Sequence, residues 1–147
     1  MDQTNEQVEI PPKAETAEPV ELPRKSIAAT LGICAAGWIV PGLSHVLIGR
    51  WIRGLIFLAC IILMFSLGLG MQGKLYTMEV EEPLQILGFF ANLGAGLLYF
   101  LAERMGLGIG LMTTQGFDYG TTYLWVCGLL NYLIVLDAFD IAQGRKP

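Results

Sequence analysis

Four long apolar segments dominate this sequence, and their length restricts what the chain can fold into. They cover about residues 27–48, 55–72, 84–102 and 121–138. At about 1.5 Å per helical residue, each is close to the ~30 Å thickness of a bilayer's hydrocarbon core. Long apolar runs lack the alternation of a barrel strand, so helices are expected. The sequence predicts an all-α integral membrane bundle of four transmembrane helices, arranged as two hairpins.

The composition supports lipid as the surroundings of these helices. Hydrophobic residues make up 54% of the chain and charged residues 15%, with a mean hydropathy of +0.55. These values are too apolar for an ordinary soluble domain, so the lipid bilayer is the first expected partner. The nine lysines and arginines are scattered and form no basic stripe. Nucleic-acid binding is therefore not expected.

The first 25 residues differ from the rest of the chain. They contain four of the seven prolines and six acidic residues. Such a segment buries too little apolar surface to offset the entropy of ordering. We predict a disordered, acidic, cytoplasmic tail over residues 1–25, followed by a four-helix transmembrane domain over residues 26–147.

Lysine and arginine counts predict the orientation of the four-span arrangement. An even number of spans puts both termini on one side, together with the loop between the second and third spans. That side would carry Lys13, Arg24, Lys25, Lys74, Arg145 and Lys146, and the other side Arg50, Arg53 and Arg104. Because basic loops stay inside, both termini are predicted to be cytoplasmic.

The stretch PGLSHVLIGRWIRG, residues 41–54, interrupts the apolar pattern. A proline cannot donate the helical hydrogen bond, so we expect a kink there, after which the helix completes its crossing. The glycines and arginines that follow suit a tight turn at the headgroup surface. The residues assigned to this hairpin motif are Pro41, Gly42, His45, Gly49, Arg50 and Gly54.

The same stretch carries a family resemblance. From about Trp38 to Lys146, the chain resembles the bacterial membrane family known as domain of unknown function 6677. The resemblance rests on WIVPGLSHVLIGRWIRG, on MQGKLY at 71–76, on DYGTTYL at 118–124 and on GLLNYLIVLDAFDIAQGRK at 128–146. The first hairpin is also similar in style to the TM-two domain. Ser44 stands where a glycine or alanine is common. The resemblance implies a membrane location and a helical fold, and it provides no catalytic residues to carry over.

Three polar residues are predicted to lie at similar depths in the bundle. Ser66, Asn92 and Asn131 each fall about 10 Å from the cytoplasmic ends of their segments. Polar side chains in lipid usually pair across helices, so we interpret them as interhelical contacts. The alternative is a permeation or ligand site.

Two carboxylates follow the last apolar segment. Asp137 and Asp140 lie three residues apart, on one helical face at the predicted inner boundary. Acids are unfavourable at a helix C-terminus, which suggests a purpose such as docking a partner. One alternative is that Arg145, Lys146 or Lys74 simply neutralises them. Another is cation binding or acid–base chemistry, although a metal site would need more ligands.

His45 is predicted at the opposite, outer level, near Tyr99 and Glu103. There it could sense external pH, or simply hydrogen-bond to a neighbour. Ser44 precedes it, but adjacent helical residues point about 100° apart, and no carboxylate in the same segment orients the imidazole. A serine hydrolase is not expected.

No catalytic set, cofactor site or metal site emerges from these residues. The sequence favours a non-catalytic scaffold or interaction partner, acting with another membrane protein or with copies of itself. The alternative is a subunit of an oligomeric transporter or channel, with Asn92, Asn131 and the two aspartates along its path.

Overall fold

The computed structural model describes residues 26–78 and 83–145, so the predicted tail lies outside the described residues. This part of the chain is helical and contains no strand beyond one isolated bridge between Lys74 and Ile109. Its helices are α1 (Ile27–Ile39), α2 (Leu43–Leu47), α3 (Trp51–Gly70), α4 (Pro83–Leu93), α5 (Leu97–Arg104) and α6 (Phe117–Ala142).

Two helices form the axis of the bundle. α3 has 20 residues and α6 has 26, and both are long and apolar enough to cross a membrane. They run antiparallel, because Gly68 near the end of α3 lies against Gly120 and Leu124 near the start of α6. The buried side chains between and beside them include Ile61, Phe65, Leu124, Cys127 and Ile134.

The first predicted span, residues 27–48, does not form one helix. Thr30 contacts Gln143, directly after α6, and Trp38 contacts Asn131 within α6, so α1 runs toward the middle of α6. After Pro41 the chain turns back, since His45 contacts Asp137, six residues closer to the C-terminus of α6 than Asn131. α1 and α2 lie side by side, and a Cβ added at Gly37 would be 2.5 Å from the Ser44 side chain. The predicted kink is thus a reversal, and we call residues 27–47 hairpin 1.

The third predicted span, residues 84–102, also divides into two helices. α4 and α5 are bent by 111° at the break between Leu93 and Leu97. Near the start of the pair, a Cβ at Gly88 would meet Tyr76, and the hydroxyl of Tyr99 in α5 donates to the carbonyl of the same Tyr76. Both arms therefore lie beside the segment that follows α3. We call residues 83–104 hairpin 2.

The prediction of four spans is therefore corrected to two, or to three if α4 and α5 are counted as one bent span. The physical reason is that apolar length alone does not distinguish a helix that crosses from two shorter helices that return. In both cases glycine or proline interrupts the helical hydrogen bonds near the middle of the segment.

The two hairpins approach each other from opposite ends of the bundle. The first and last residues of hairpin 1 lie at the end of the bundle that holds the C-terminus of α6. Those of hairpin 2 lie at the end that holds the N-terminus of α6. Their tips touch where Gly96 lies against the carbonyl groups of Trp38 and Ile39. The described chain thus consists of two units with opposite orientation, hairpin 1 with α3 and hairpin 2 with α6.

Candidate functional site

The hairpin tips depend on two glycines in matching positions. Gly42 precedes α2 with φ +79°, and Gly96 precedes α5 with φ +61°. A side chain is strained in this left-handed region, and a Cβ at Gly42 would also meet the carbonyl of Gly54 on α3. These two residues let each chain reverse in close contact with its neighbour.

His45 joins hairpin 1 to α6. Its side chain is fully buried, and its Nε2 lies 3.2 Å from Oδ2 of Asp137, whose side chain is 36% exposed. The ring of Phe57 on α3 packs edge-on against the imidazole, with the centroids 5.0 Å apart. His45 and Asp137 were predicted at opposite faces of the bundle, and this placement is corrected because hairpin 1 returns to the end from which it starts.

Asn131 joins both hairpins at once. Its amide nitrogen Nδ2 donates to the carbonyl of Trp38 in hairpin 1 at 3.2 Å and to the carbonyl of Gly94 in hairpin 2 at 2.9 Å. Both carbonyl groups lie near the tips, where an ended helix leaves carbonyls without helical partners. One side chain on α6 therefore ties the two tips together.

The other two predicted interhelical residues behave differently. Asn92 is fully buried on α4, but its Oδ1 and Nδ2 have no hydrogen-bond partner among the described residues, and neither does Oδ1 of Asn131. Ser66 lies on the exposed side of α3. The structure therefore does not bring the three residues into one hydrogen-bonded group, although two of them are sealed in the core.

The second aspartate, Asp140, faces a different neighbour from Asp137. Its Oδ1 lies 3.5 Å from Nη1 of Arg145, and both side chains are partly or largely open. The guanidinium of Arg145 also lies over the ring of Phe139, 5.8 Å from its centroid. The two aspartates thus lie at the same end of the bundle but do not act as one paired site.

The turn after α2 contains the remaining motif residues. Gly49 is exposed with φ +96°, and the backbone N–H of Arg50 donates to the carbonyl of His45 at 2.8 Å. Gly54 is buried on α3, where a Cβ would lie 2.6 Å from the Val46 side chain. The turn at Gly49 and Arg50 and the close approach at Gly54 thus lie at the C-terminal end of α6.

The chemistry available to the residues around His45 is limited. Ser44 is fully buried and its Oγ has no partner, so it is not hydrogen-bonded to His45, and Nδ1 of His45 is also without a partner. Among residues 26–78 and 83–145, no three His, Cys, Asp or Glu side chains are grouped so that they could hold a metal ion. The arrangement provides buried hydrogen bonds and one imidazole–carboxylate pair.

Hairpin 2 was not predicted from the sequence. Its signal in the sequence is GAG at residues 94–96, inside the third apolar segment. Gly96 and Tyr99 repeat the spacing of Gly42 and His45, and this match between two apolar segments could have indicated a second reversal.

These features define a class of helical protein with two membrane-length helices and two opposed, reversing hairpins. The chain belongs to the family described as "Family of unknown function (DUF6677)", whose model matches residues 32–147. No curated protein and no solved structure matches the chain.

Proposed function

We propose that this chain is a non-catalytic integral membrane protein of the bacterial cytoplasmic membrane that serves as a scaffold or interaction partner. In this arrangement α3 and α6 cross the bilayer, while hairpins 1 and 2 enter it from opposite sides and return. The main support for this proposal is that the hairpin tips meet beside the middle of α6, where the side chain of Asn131 donates a hydrogen bond to each tip. Carbonyl groups at that depth would be costly in lipid and are tolerated because protein covers them.

The charge distribution supports an orientation for this arrangement. Arg50, Arg53 and Arg145 lie at the end of the bundle with the C-terminus of α6, and the sequence before α1 and after α6 adds Lys13, Arg24, Lys25 and Lys146. The opposite end carries Lys74 and Arg104. Basic residues accumulate on the cytoplasmic side, so this end faces the cytoplasm and both termini are cytoplasmic. The imbalance is larger than in the four-span arrangement.

Cysteine labelling in intact cells tests the two-span arrangement sharply. In a cysteine-free background, Arg53→Cys should be protected from a membrane-impermeant maleimide, and Lys74→Cys should be labelled from outside. The four-span arrangement requires the reverse for both positions. A cysteine replacing Thr113, in the turn before α6, is the matched control, because it lies outside in both arrangements. Labelling of Arg53→Cys from outside would reject the proposal.

The full burial of His45, the only histidine in the sequence, supports a non-catalytic role. A general base must come within hydrogen-bond reach of its substrate, and His45 instead contacts Asp137 and Phe57 inside the bundle.

The scaffold role depends on the surfaces at the two ends of the bundle. Purification in mild detergent should return a stoichiometric partner, and Asp140→Asn should reduce its recovery if the C-terminal acids dock it. Recovery of the chain alone, at every protein concentration, would contradict the scaffold role.

A second candidate function is a subunit of an oligomeric transporter or channel. It is favoured by the opposed units and by the unpartnered polar atoms of Asn92 and Asn131 in the core. Oppositely oriented repeats with broken helices are common in transporters, whose sites lie near the midplane. Reconstituted protein should then carry solute flux in liposomes, and Asn92→Leu should abolish that flux while the protein remains folded. A homo-oligomer without flux for ions or small polar solutes would reject this candidate.

A further inference from the structure

Arg50, just before α3, and Arg53, in its first turn, form an arginine pair that has no counter-ion among residues 26–78 and 83–145. Arg50 and Arg53 line a shallow cleft of about 260 Å³ together with Gly49, Trp51 and Ile52. The ion pairs among the described residues join other side chains, His45 with Asp137 and Arg145 with Asp140. The cleft therefore presents two positive charges that the described part of the fold does not neutralise.

One guanidinium nitrogen of Arg50 is unsatisfied. Nη1 of Arg50 is buried from solvent and has no hydrogen-bond acceptor in the part of the chain that the structure describes. A buried charged donor without a partner is costly, because it has lost its water and gained nothing in exchange. The guanidinium is also a planar donor that matches the oxygens of a phosphate group. An oxyanion would therefore satisfy Arg50.

The flanks of the cleft indicate where that oxyanion comes from. The side chains of Trp51 and Ile52 are 61% and 58% exposed, and Leu55 on the next turn of α3 is 51% exposed. A free phosphate in water has no need of an apolar border, whereas a phospholipid places acyl chains directly beside its phosphate. Tryptophan beside arginine is also typical of a headgroup boundary.

We infer that the Arg50–Arg53 cleft binds the phosphate of an anionic phospholipid headgroup. This inference rests on the proposed membrane insertion, in which the cleft lies at the cytoplasmic surface, where anionic lipids attract basic residues. Arg50 supplies the buried contact and Arg53 the second positive charge at the rim. The bound lipid would hold the turn that connects hairpin 1 to α3.

Native mass spectrometry of the full chain in detergent tests this binding without reference to orientation. Phosphatidylglycerol and phosphatidylcholine with the same acyl chains are added separately, and the retained adducts are compared. We expect phosphatidylglycerol to be retained preferentially, and Arg50→Gln to lower that preference about ten-fold, the effect of losing one charge-assisted hydrogen bond. Arg53→Gln should lower it less. Arg145→Gln is the matched control, since Arg145 lies at the same end but is paired with Asp140.

Several outcomes would overturn the inference. These are equal retention of the two lipids, an equal loss in Arg145→Gln, competition by inorganic phosphate at equal concentration, and displacement of the lipid by a peptide of residues 1–25. If Arg50→Gln does not fold, Arg50→Lys keeps the charge without the planar fork and should give an intermediate loss; an unchanged preference would also overturn the inference. Cysteine labelling checks membrane orientation separately, so failure of lipid binding and failure of the two-span arrangement are distinguishable.

Discussion

Nε2 of His45 and Oδ2 of Asp137 lie 3.2 Å apart although 92 residues separate them in the sequence. The contact fixes hairpin 1 against the C-terminal third of α6 and determines that α2 runs back along α1. It also orients the imidazole against Phe57. The first prediction concerns this pair.

Asp137→Asn should reduce the free energy of unfolding by about 1–3 kcal/mol, because it weakens a hydrogen bond to a buried ring. Denaturation in mixed detergent micelles measures the change. Asp140→Asn is the matched control, because its side chain is 35% exposed, against 36% for Asp137, and contacts an exposed arginine. It should change stability by less than about 1 kcal/mol. A double-mutant cycle with His45→Gln that gives no coupling would contradict the contact.

Gly96→Ala should destabilise the protein more than Gly49→Ala. Both glycines have positive φ, so each alanine is strained by about 1–2 kcal/mol. A Cβ at Gly96 would additionally meet the carbonyl of Trp38, whereas a Cβ at Gly49 would have nothing within 4 Å. The difference between the two variants, about 1–3 kcal/mol, measures the close contact of the hairpin tips. Equal effects of the two substitutions would mean that the tips do not touch.

Asn131→Leu and Asn92→Leu should have opposite consequences, although both asparagines are fully buried. The first removes two hydrogen bonds and leaves the carbonyl groups of Trp38 and Gly94 unsatisfied, at a cost of about 1–3 kcal/mol for each group. The second replaces a side chain whose polar atoms have no partner, so stability should stay the same or rise. Thermal unfolding in detergent distinguishes them. A similar loss in both variants would indicate that Asn92 also has a bonded partner.

Gly128→Ala should loosen hairpin 2 from α6. A Cβ at Gly128 would meet the carbonyl of Ala91 on α4, so the two helices must separate, at a cost of about 1–3 kcal/mol. Gly32→Ala is the control on a helix surface, since a Cβ there has nothing within 4 Å. It should stabilise α1 by up to about 1 kcal/mol. Protease accessibility of the chain between α3 and α4 measures the loosening directly, and an unaltered digestion pattern in Gly128→Ala would argue against the packing.

The helical class of the fold was predictable because the apolar segments are too long and too continuous for strands. The family was predictable from stretches such as those around Pro41 and Gly120. The paths of the first and third segments were not, because apolar segments of 22 and 19 residues suit one crossing helix or two helices that return. The periodicity of apolar residues indicates which face of a helix is apolar, but it does not indicate whether the chain crosses the membrane or turns back.

The contact between His45 and Asp137 shows why the site was harder to predict than the fold. The predicted depth of His45 assumed that residues 27–48 form one crossing helix. Because residues 43–47 run back in the opposite direction, His45 lies at the other face of the bundle. Asn131 was assigned to the interior, because an amide in an apolar run needs hydrogen-bond partners. Its acceptors are backbone carbonyl groups. They are available at that depth only because a helix of each hairpin ends there.

The long sequence separation of these contacts has a consequence for synthesis on the ribosome. At about 5–20 residues per second, Asp137 is translated about 5–20 s after His45. During that interval the nascent hairpin 1 has neither its carboxylate nor the amide of Asn131, and α3 is its nearest helical neighbour. The N-terminal unit can therefore reach its final packing only after α6 has left the ribosome, and a polypeptide truncated before residue 131 would be a substrate for quality-control proteases.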